Sequence, residues 1–305
     1  MTARSQDAAP AGRRGPLDQP WLLLVLPPLF WAGNAVIGRA VAGEVPPIAL
    51  AFWRWTVGML VLLPFAWGAL RADWPLLRRH WRMMLVLATL GVAAFNTFLY
   101  LGLETTTVLN AVMLQSAMPV LIALFGVPIL GERVGPVQAG GIALSLAGAV
   151  WLITHGEPAR ALEAGFGRGD LWVLAAVVCY ALYTVLVRLR PPVGQLTLLT
   201  ATFALGALEL LPLYLAETVS GRPLPVTPAS LGAIAYVAVF ASILAYFCFN
   251  RSVQLSGASR AGMAIHLVPV FGALLSILLL GEEPRAYHAI GMALIAAGIV
   301  VARRG

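Results

Sequence analysis

Polar side chains stand at intervals inside stretches that are otherwise apolar: Asn34, Asn96, Tyr100, Gln115, Ser116, Tyr183, Tyr246, Asn250 and His266. Amides, hydroxyls and one imidazole make no hydrolytic or redox set. They suit a small zwitterion with an apolar side chain, the amides and hydroxyls bonding its head and the rings facing its tail. Polar groups at membrane depth are costly and mark substrate or ion pathways, unless they serve only to bond one helix to the next. Two of these positions lie beside prolines: Ser116 is one turn before Pro119, and His266 one turn before Pro269. A proline inside a helix removes an amide donor and frees a carbonyl about four residues upstream. Pro119 and Pro269 are therefore expected to kink their helices and act as hinges, with plain packing kinks as the alternative. His266 can exchange a proton near neutral pH, although a neutral ring bonded to a backbone carbonyl is the commoner use of such a residue. Glu209 is the one carboxylate well inside an apolar run. It is a second candidate for proton coupling, with an arginine partner or a headgroup position competing equally. Arg54 either clamps a carboxylate or snorkels to the outer interface, and its neighbours Trp53 and Trp55 favour the interface.

The elements that must position these residues are membrane helices. The chain is 60% hydrophobic and 11% charged, where soluble domains carry roughly 25% charged residues. Crossing a hydrocarbon core of ~30 Å takes about 20 apolar residues. Ten such runs are expected, near 21–40, 47–67, 82–103, 107–130, 136–154, 170–188, 195–216, 230–251, 259–280 and 286–302. They are apolar all round, so helices fit and the alternation of a β-barrel does not. Residues 1–20 read as a disordered tail rather than a signal peptide, because no small-residue cleavage site follows a short apolar run. All basic residues are Arg; 14 fall on the side of the termini and five on the other. The positive-inside rule then puts both termini in the cytoplasm, with the protein in the cytoplasmic (inner) membrane. The net charge of +7 belongs to this topology and to lipid headgroups, not to a nucleic-acid partner. Cys179 and Cys248 lie inside expected spans and read as small buried hydrophobes.

The chain also repeats itself. Residues 111–150 return as 261–300 with about 16 of 40 positions identical and no gap, among them Pro119/Pro269, Gly131/Gly281, Glu132/Glu282, Gly141/Gly291 and Gly148/Gly298. A weaker echo at an offset of 149 pairs Trp31 with Tyr180 and Arg39 with Arg188. Five spans per repeat is an odd number, so the second half enters the membrane from the opposite face. The expected fold is all-α and integral to the membrane, ten helices in two inverted five-helix repeats. The halves are residues 21–154 and 170–303, joined by a loop over 155–169. A substrate site is expected at the midplane between them. Gly140, Gly141, Gly148, Gly291 and Gly298 are spaced for close helix contact in spans five and ten, read as peripheral struts.

The pattern Pro-Val…Leu-Gly-Glu, followed by glycines late in the next span, occurs once in each half. It resembles the EamA domain pair of the drug/metabolite transporter superfamily over residues 21–302. Within that superfamily the chain is most similar to the YddG-like exporters of aromatic and other neutral amino acids. The resemblance implies a central cavity walled by spans one, three, four, six, eight and nine. It also implies outward transport of small metabolites such as phenylalanine, methionine or threonine by alternating access. It reads Glu132 and Glu282 as structural markers at helix ends.

Other classes fit less well. Gly167-Arg168-Gly169-Asp170 matches the Gly-x-Gly-Asp of intramembrane aspartyl proteases, but no second aspartate lies within a span, and Asp170 reads as a helix cap. No nucleophile elbow, zinc motif or phosphate loop is present, so neither an enzyme, nor a cofactor, nor a metal is expected. A multidrug exporter of organic cations is the closer alternative, yet residues 21–40 hold no carboxylate.

Overall fold

A computed structural model describes residues 20–131, 135–157, 159, 167–249 and 267–302, and all regular structure among them is helical. Backbone N–H and C=O groups find no water in hydrocarbon, and the helix satisfies them within one segment. Among the described residues six helices are long and apolar enough to cross a membrane: α2 (Pro47–Arg79), α3 (Trp81–Leu103), α4 (Val108–Leu130), α6 (Arg168–Leu189), α7 (Gln195–Val219) and α8 (Pro228–Phe249). Helix α1 covers Pro20–Ala40. The described residues also hold three shorter apolar helices: α5 (Pro136–Ile153), α9 (Leu267–Leu280) and α10 (Ala286–Ala302). The loop expected after residue 67 is not there. Helix α2 runs on to Arg79, because Leu70, Leu76 and Leu77 pack with Met84, Leu87 and Leu198 in a small apolar cluster of their own.

The 150-residue repeat reappears as geometry. Helices α3 and α8 each contain one wide π-turn, at Thr89–Ala94 and Val239–Leu244, which are 150 residues apart. Such turns often mark functional stretches of a helix. Gly131 (φ +70°) and Gly281 (φ +66°), which follow α4 and α9, are both left-handed, the backbone geometry that only glycine adopts at no steric cost. Helices α5 and α10 pack through reciprocal glycines. A Cβ on Gly148 would come within 2.9 Å of the Gly291 carbonyl oxygen, and one on Gly298 within 2.6 Å of the Gly141 oxygen. These two contacts exchange when both members shift by 150. Gly140, by contrast, faces open space. Helices α2 and α7 form a second closely packed pair, with Trp55 against Phe203 at 4.5 Å between ring centroids.

The face where α1, α3 and α9 end is tied by side chains. Glu217 of α7 accepts from the amide of Ala49 at 2.8 Å, and Glu282 accepts from Val108 and Leu109 at 2.8 and 3.0 Å. Each carboxylate thus satisfies orphan donors at the N-terminus of another helix. Arg222 pairs with Glu104 at 2.5 Å, and Arg39 donates to the Leu103 and Glu104 carbonyls. The Glu104 hydrogen bond raises the Arg222 pKa further above its usual value. Asp170 is buried here, but it does not cap its own helix: no side-chain cap bond forms at the start of α6. It accepts from Thr106 and from Asn110 (3.3 Å) and faces His155 at 3.4 Å, so it joins the α3–α4 connection and the end of α5 to α6. Three elements converge on it, and that overrides the local capping preference.

Candidate functional site

Helix α4 breaks where its proline demands it. Regular helix stops at Gln115 and resumes at Met118, with the Ser116 and Ala117 amides bonding three residues back, to Met113 and Leu114. Pro119 has no N–H to give the Gln115 carbonyl, so the two half-helices meet at a bend. Gln115 and Ser116 sit on that bend and line a central cavity of about 260 Å³. Their side chains bond back to the Ala111 and Val112 carbonyls. Pro269, near the start of α9, lines the same cavity.

The wall of the cavity is drawn from both repeats in matched positions. Trp31 and Tyr180, Asn34 and Tyr183, and Asn96 and Tyr246 are three pairs related by the 149–150-residue offset, and all six residues line it. The rings contact one another: Trp31 and Tyr246 lie at 6.1 Å, Tyr180 and Tyr183 at 5.3 Å, and Phe95 and Tyr180 at 4.6 Å. Asn96 is 1% exposed, and its Oδ1 has no hydrogen-bond partner. A buried orphan acceptor costs about 1–3 kcal/mol unless something else supplies the donor.

Arg54 corrects the sequence reading. It is 2% exposed and does not reach the interface. Its guanidinium turns inward across α1, α3 and α8 and forms part of the cavity wall. Nη1 donates to Asn34 Oδ1 at 2.5 Å and to the Tyr100 hydroxyl at 2.8 Å; Nε donates to Ser242 Oγ at 2.8 Å; Nη2 donates to the Ala241 carbonyl at 3.3 Å. Ser242 and Ala241 lie in the π-turn of α8, whose widened backbone turns a hydroxyl and a carbonyl toward the arginine. Tyr100 stands behind this layer rather than in the wall and donates to Asn34 at 2.6 Å. Among the described residues its five N–H donors meet four acceptors, all neutral, which leaves one donor on Nη2 and the positive charge without a described partner. The signal available in the sequence was that Arg54 is the only basic residue well inside a span. The flanking tryptophans pointed the other way, but Trp55 packs inward on Phe203 and carries the guanidinium 4.7 Å from its own ring centroid.

From the Arg54 layer the cavity extends to Arg190 and Gln195, at the connection of α6 and α7. Arg190 is exposed and donates to Gln195 at 3.2 Å. Among the described residues no aspartate or glutamate lines the cavity. Glu209 lies outside it, on α7, accepting from Thr89 at 3.0 Å. Asn250 and His266 fall outside the described residues. No group of His, Cys, Asp and Glu among the described residues is arranged to hold a metal ion.

A bent helix, matched walls and a charged, apolar-rimmed cavity inside a membrane bundle are the anatomy of a carrier. The model of the EamA-like transporter family matches residues 20–154 and again 167–304. The chain belongs to that family. An uncharacterized transporter of Archaeoglobus fulgidus is 30% identical over 284 residues, covering 91% of this chain and 95% of the relative. The uncharacterized transporter YyaM of Bacillus subtilis is 29% identical over 280 residues, 90% of each chain. A WAT1-related chloroplastic protein of Arabidopsis thaliana is 25% identical over 90% of this chain and 66% of its own. A solved structure, described only as that of a protein, superposes with a TM-score of 0.61 at 24% identity over 93% of this chain and 98% of its own, a likeness of fold. The chain is a multi-pass membrane transporter of small molecules.

Proposed function

We propose that this transporter is a ten-span, alternating-access carrier with both termini in the cytoplasm, built from two inverted repeats and exporting amino acids with neutral and aromatic side chains. The observation that carries the substrate class is Arg54: a buried cation, held among the described residues by neutral acceptors alone, with a spare donor at the cavity wall. Holding such an ion out of water costs several kcal/mol. A substrate carboxylate arriving in the cavity offsets that cost through a charge-assisted bond. The rings of Trp31, Tyr180, Tyr183 and Tyr246 then face the apolar part of the substrate, and the open Oδ1 of Asn96 supplies an acceptor for its ammonium group. The tied face opposite the termini and the cavity's extension toward Arg190 fit a state open to the cytoplasm. Bending about Pro119 and Pro269 is the proposed route to the opposite state. The rival reading, export of organic cations, meets a positive cavity with no carboxylate among its described residues, an electrostatic barrier to such cargo.

Counterflow in proteoliposomes tests this reading. Vesicles loaded with unlabelled phenylalanine, methionine or threonine are expected to accumulate labelled phenylalanine, and vesicles loaded with organic cations are not. Exchange of organic cations without any amino-acid exchange would overturn it.

A further inference from the structure

A second cavity lies on the outside of the bundle. It is a groove of about 630 Å³ between the far end of α2, the start of α3 and the first half of α7. Its floor is apolar, from residues such as Leu63, Leu77, Met84 and Leu205. Thr200, which also borders it, spends its hydroxyl on the Leu196 carbonyl of its own helix. The charged groups on the groove are Arg71 and Arg78. They stand seven residues apart, two helical turns, hence on one side of α2 and about 10 Å apart along its axis. Both are exposed, and neither has a carboxylate partner among the described residues. The nearest acid in sequence, Asp73, is occupied by Thr197 at 2.7 Å and the Gly194 amide at 3.4 Å.

Depth sets what such a groove meets. Helix α2 has 33 residues, about 50 Å, against a hydrocarbon core of ~30 Å. The surplus is roughly its last 13 residues, from Trp67 to Arg79. The groove thus straddles the boundary, with Leu63 and Leu205 at the level of acyl chains and Arg71, Leu77 and Arg78 at the level of headgroups. Trp67, Trp74 and Trp81, each at least half exposed, recur every seven residues along it, the amphipathic side chain that membrane interfaces select. Arg71 lies over the Trp67 ring at 4.8 Å, which holds the guanidinium at the groove's edge.

We infer that this groove is a binding site for an anionic glycerophospholipid, one acyl chain lying between α2, α3 and α7 and the phosphate held by Arg71 and Arg78. Charge complementarity selects the headgroup, since a zwitterionic lipid fills the same apolar floor but brings its own cation to the arginines. An interfacial arginine favours an anionic lipid by an amount that, for two of them, corresponds to about 25-fold.

Native mass spectrometry of the full-length protein, with phosphatidylglycerol and phosphatidylcholine of matched chains in competition, reads this preference directly. Wild type is expected to retain phosphatidylglycerol over phosphatidylcholine by about 25-fold. Arg71→Gln with Arg78→Gln is expected to bring the ratio near one, and the double lysine replacement at the same sites to keep most of it. Arg79→Gln with Arg82→Gln removes two arginines from the same stretch that do not line the groove, and it is expected to leave the ratio unchanged. Equal retention of both lipids by wild type overturns the proposal. So does loss of the ratio to the same extent in both glutamine pairs, which identifies a diffuse basic belt instead of a site.

Discussion

Replacing Arg54 with glutamine separates a ligand-binding arginine from a structural one. Consider first what the protein loses. The acceptors that Arg54 vacates all keep another bond: Asn34 Oδ1 still receives the Tyr100 hydroxyl, Ser242 Oγ still donates to the Val237 carbonyl, and the Ala241 carbonyl still receives Trp31 Nε1 at 3.2 Å. Among the described residues no vacated acceptor is orphaned, and a buried cation without a described carboxylate partner is removed. Stability is expected to hold or rise, with the melting temperature no more than about 3 °C below wild type. The substrate loses a hydrogen bond to a charged group, about 1.5–3 kcal/mol. Affinity for phenylalanine should therefore fall by about 10- to 150-fold. Calorimetric titration of purified protein measures this. Phenethylamine, which lacks the carboxylate, provides the second edge of a double-mutant cycle. Wild type should bind it far more weakly than phenylalanine, and the Arg54→Gln variant should scarcely distinguish the two. A variant that unfolds many degrees early yet binds phenylalanine as tightly as wild type would refute the carboxylate clamp and leave Arg54 a strut.

Other outcomes follow from the packing. Gly298→Ala drives a Cβ to 2.5 Å from the Ser145 amide nitrogen and should lower thermal stability clearly, whereas Gly140→Ala meets open space and should be silent; melting curves compare them. Glu282→Ala strips the acceptor from the Val108 and Leu109 amides and should cost about 1 kcal/mol of stability, read as earlier thermal unfolding, without changing substrate selectivity. Pro119→Ala restores a donor at the bend of α4; if the bend is a hinge, counterflow slows several-fold while binding affinity stays, and unchanged rates would make it a packing kink. Fluorescent-protein fusions at the two ends should both fluoresce in the cytoplasm, and opposite locations would overturn the five-plus-five topology.

The chain announces a great deal on its own. Hydrophobic runs of membrane length leave the backbone one solution, so the helical class is decided without tertiary information. The duplicated Pro-Val and Leu-Gly-Glu segments identify equivalent helices because their residues answer local demands: proline deletes a donor, glycine tolerates a left-handed turn, and in the second copy Glu282 reaches a neighbouring helix end. Asn34, Asn96, Gln115, Ser116, Tyr183 and Tyr246 could be named in advance because polar groups in apolar runs are rare and costly, and the fold gathers all six around one cavity. What a linear sequence cannot carry is direction. Arg54 between two tryptophans reads as an interface anchor until α1, α3 and α8 close around it, Asp170 reads as a cap until two loops and a helix end meet it, and Glu209 leaves proton coupling, an arginine partner and a headgroup position equally open until α7 turns it toward Thr89 and away from the cavity. The azimuth of a side chain on its helix, inward or outward, is set by which other helices pack there, and only the assembled bundle fixes that.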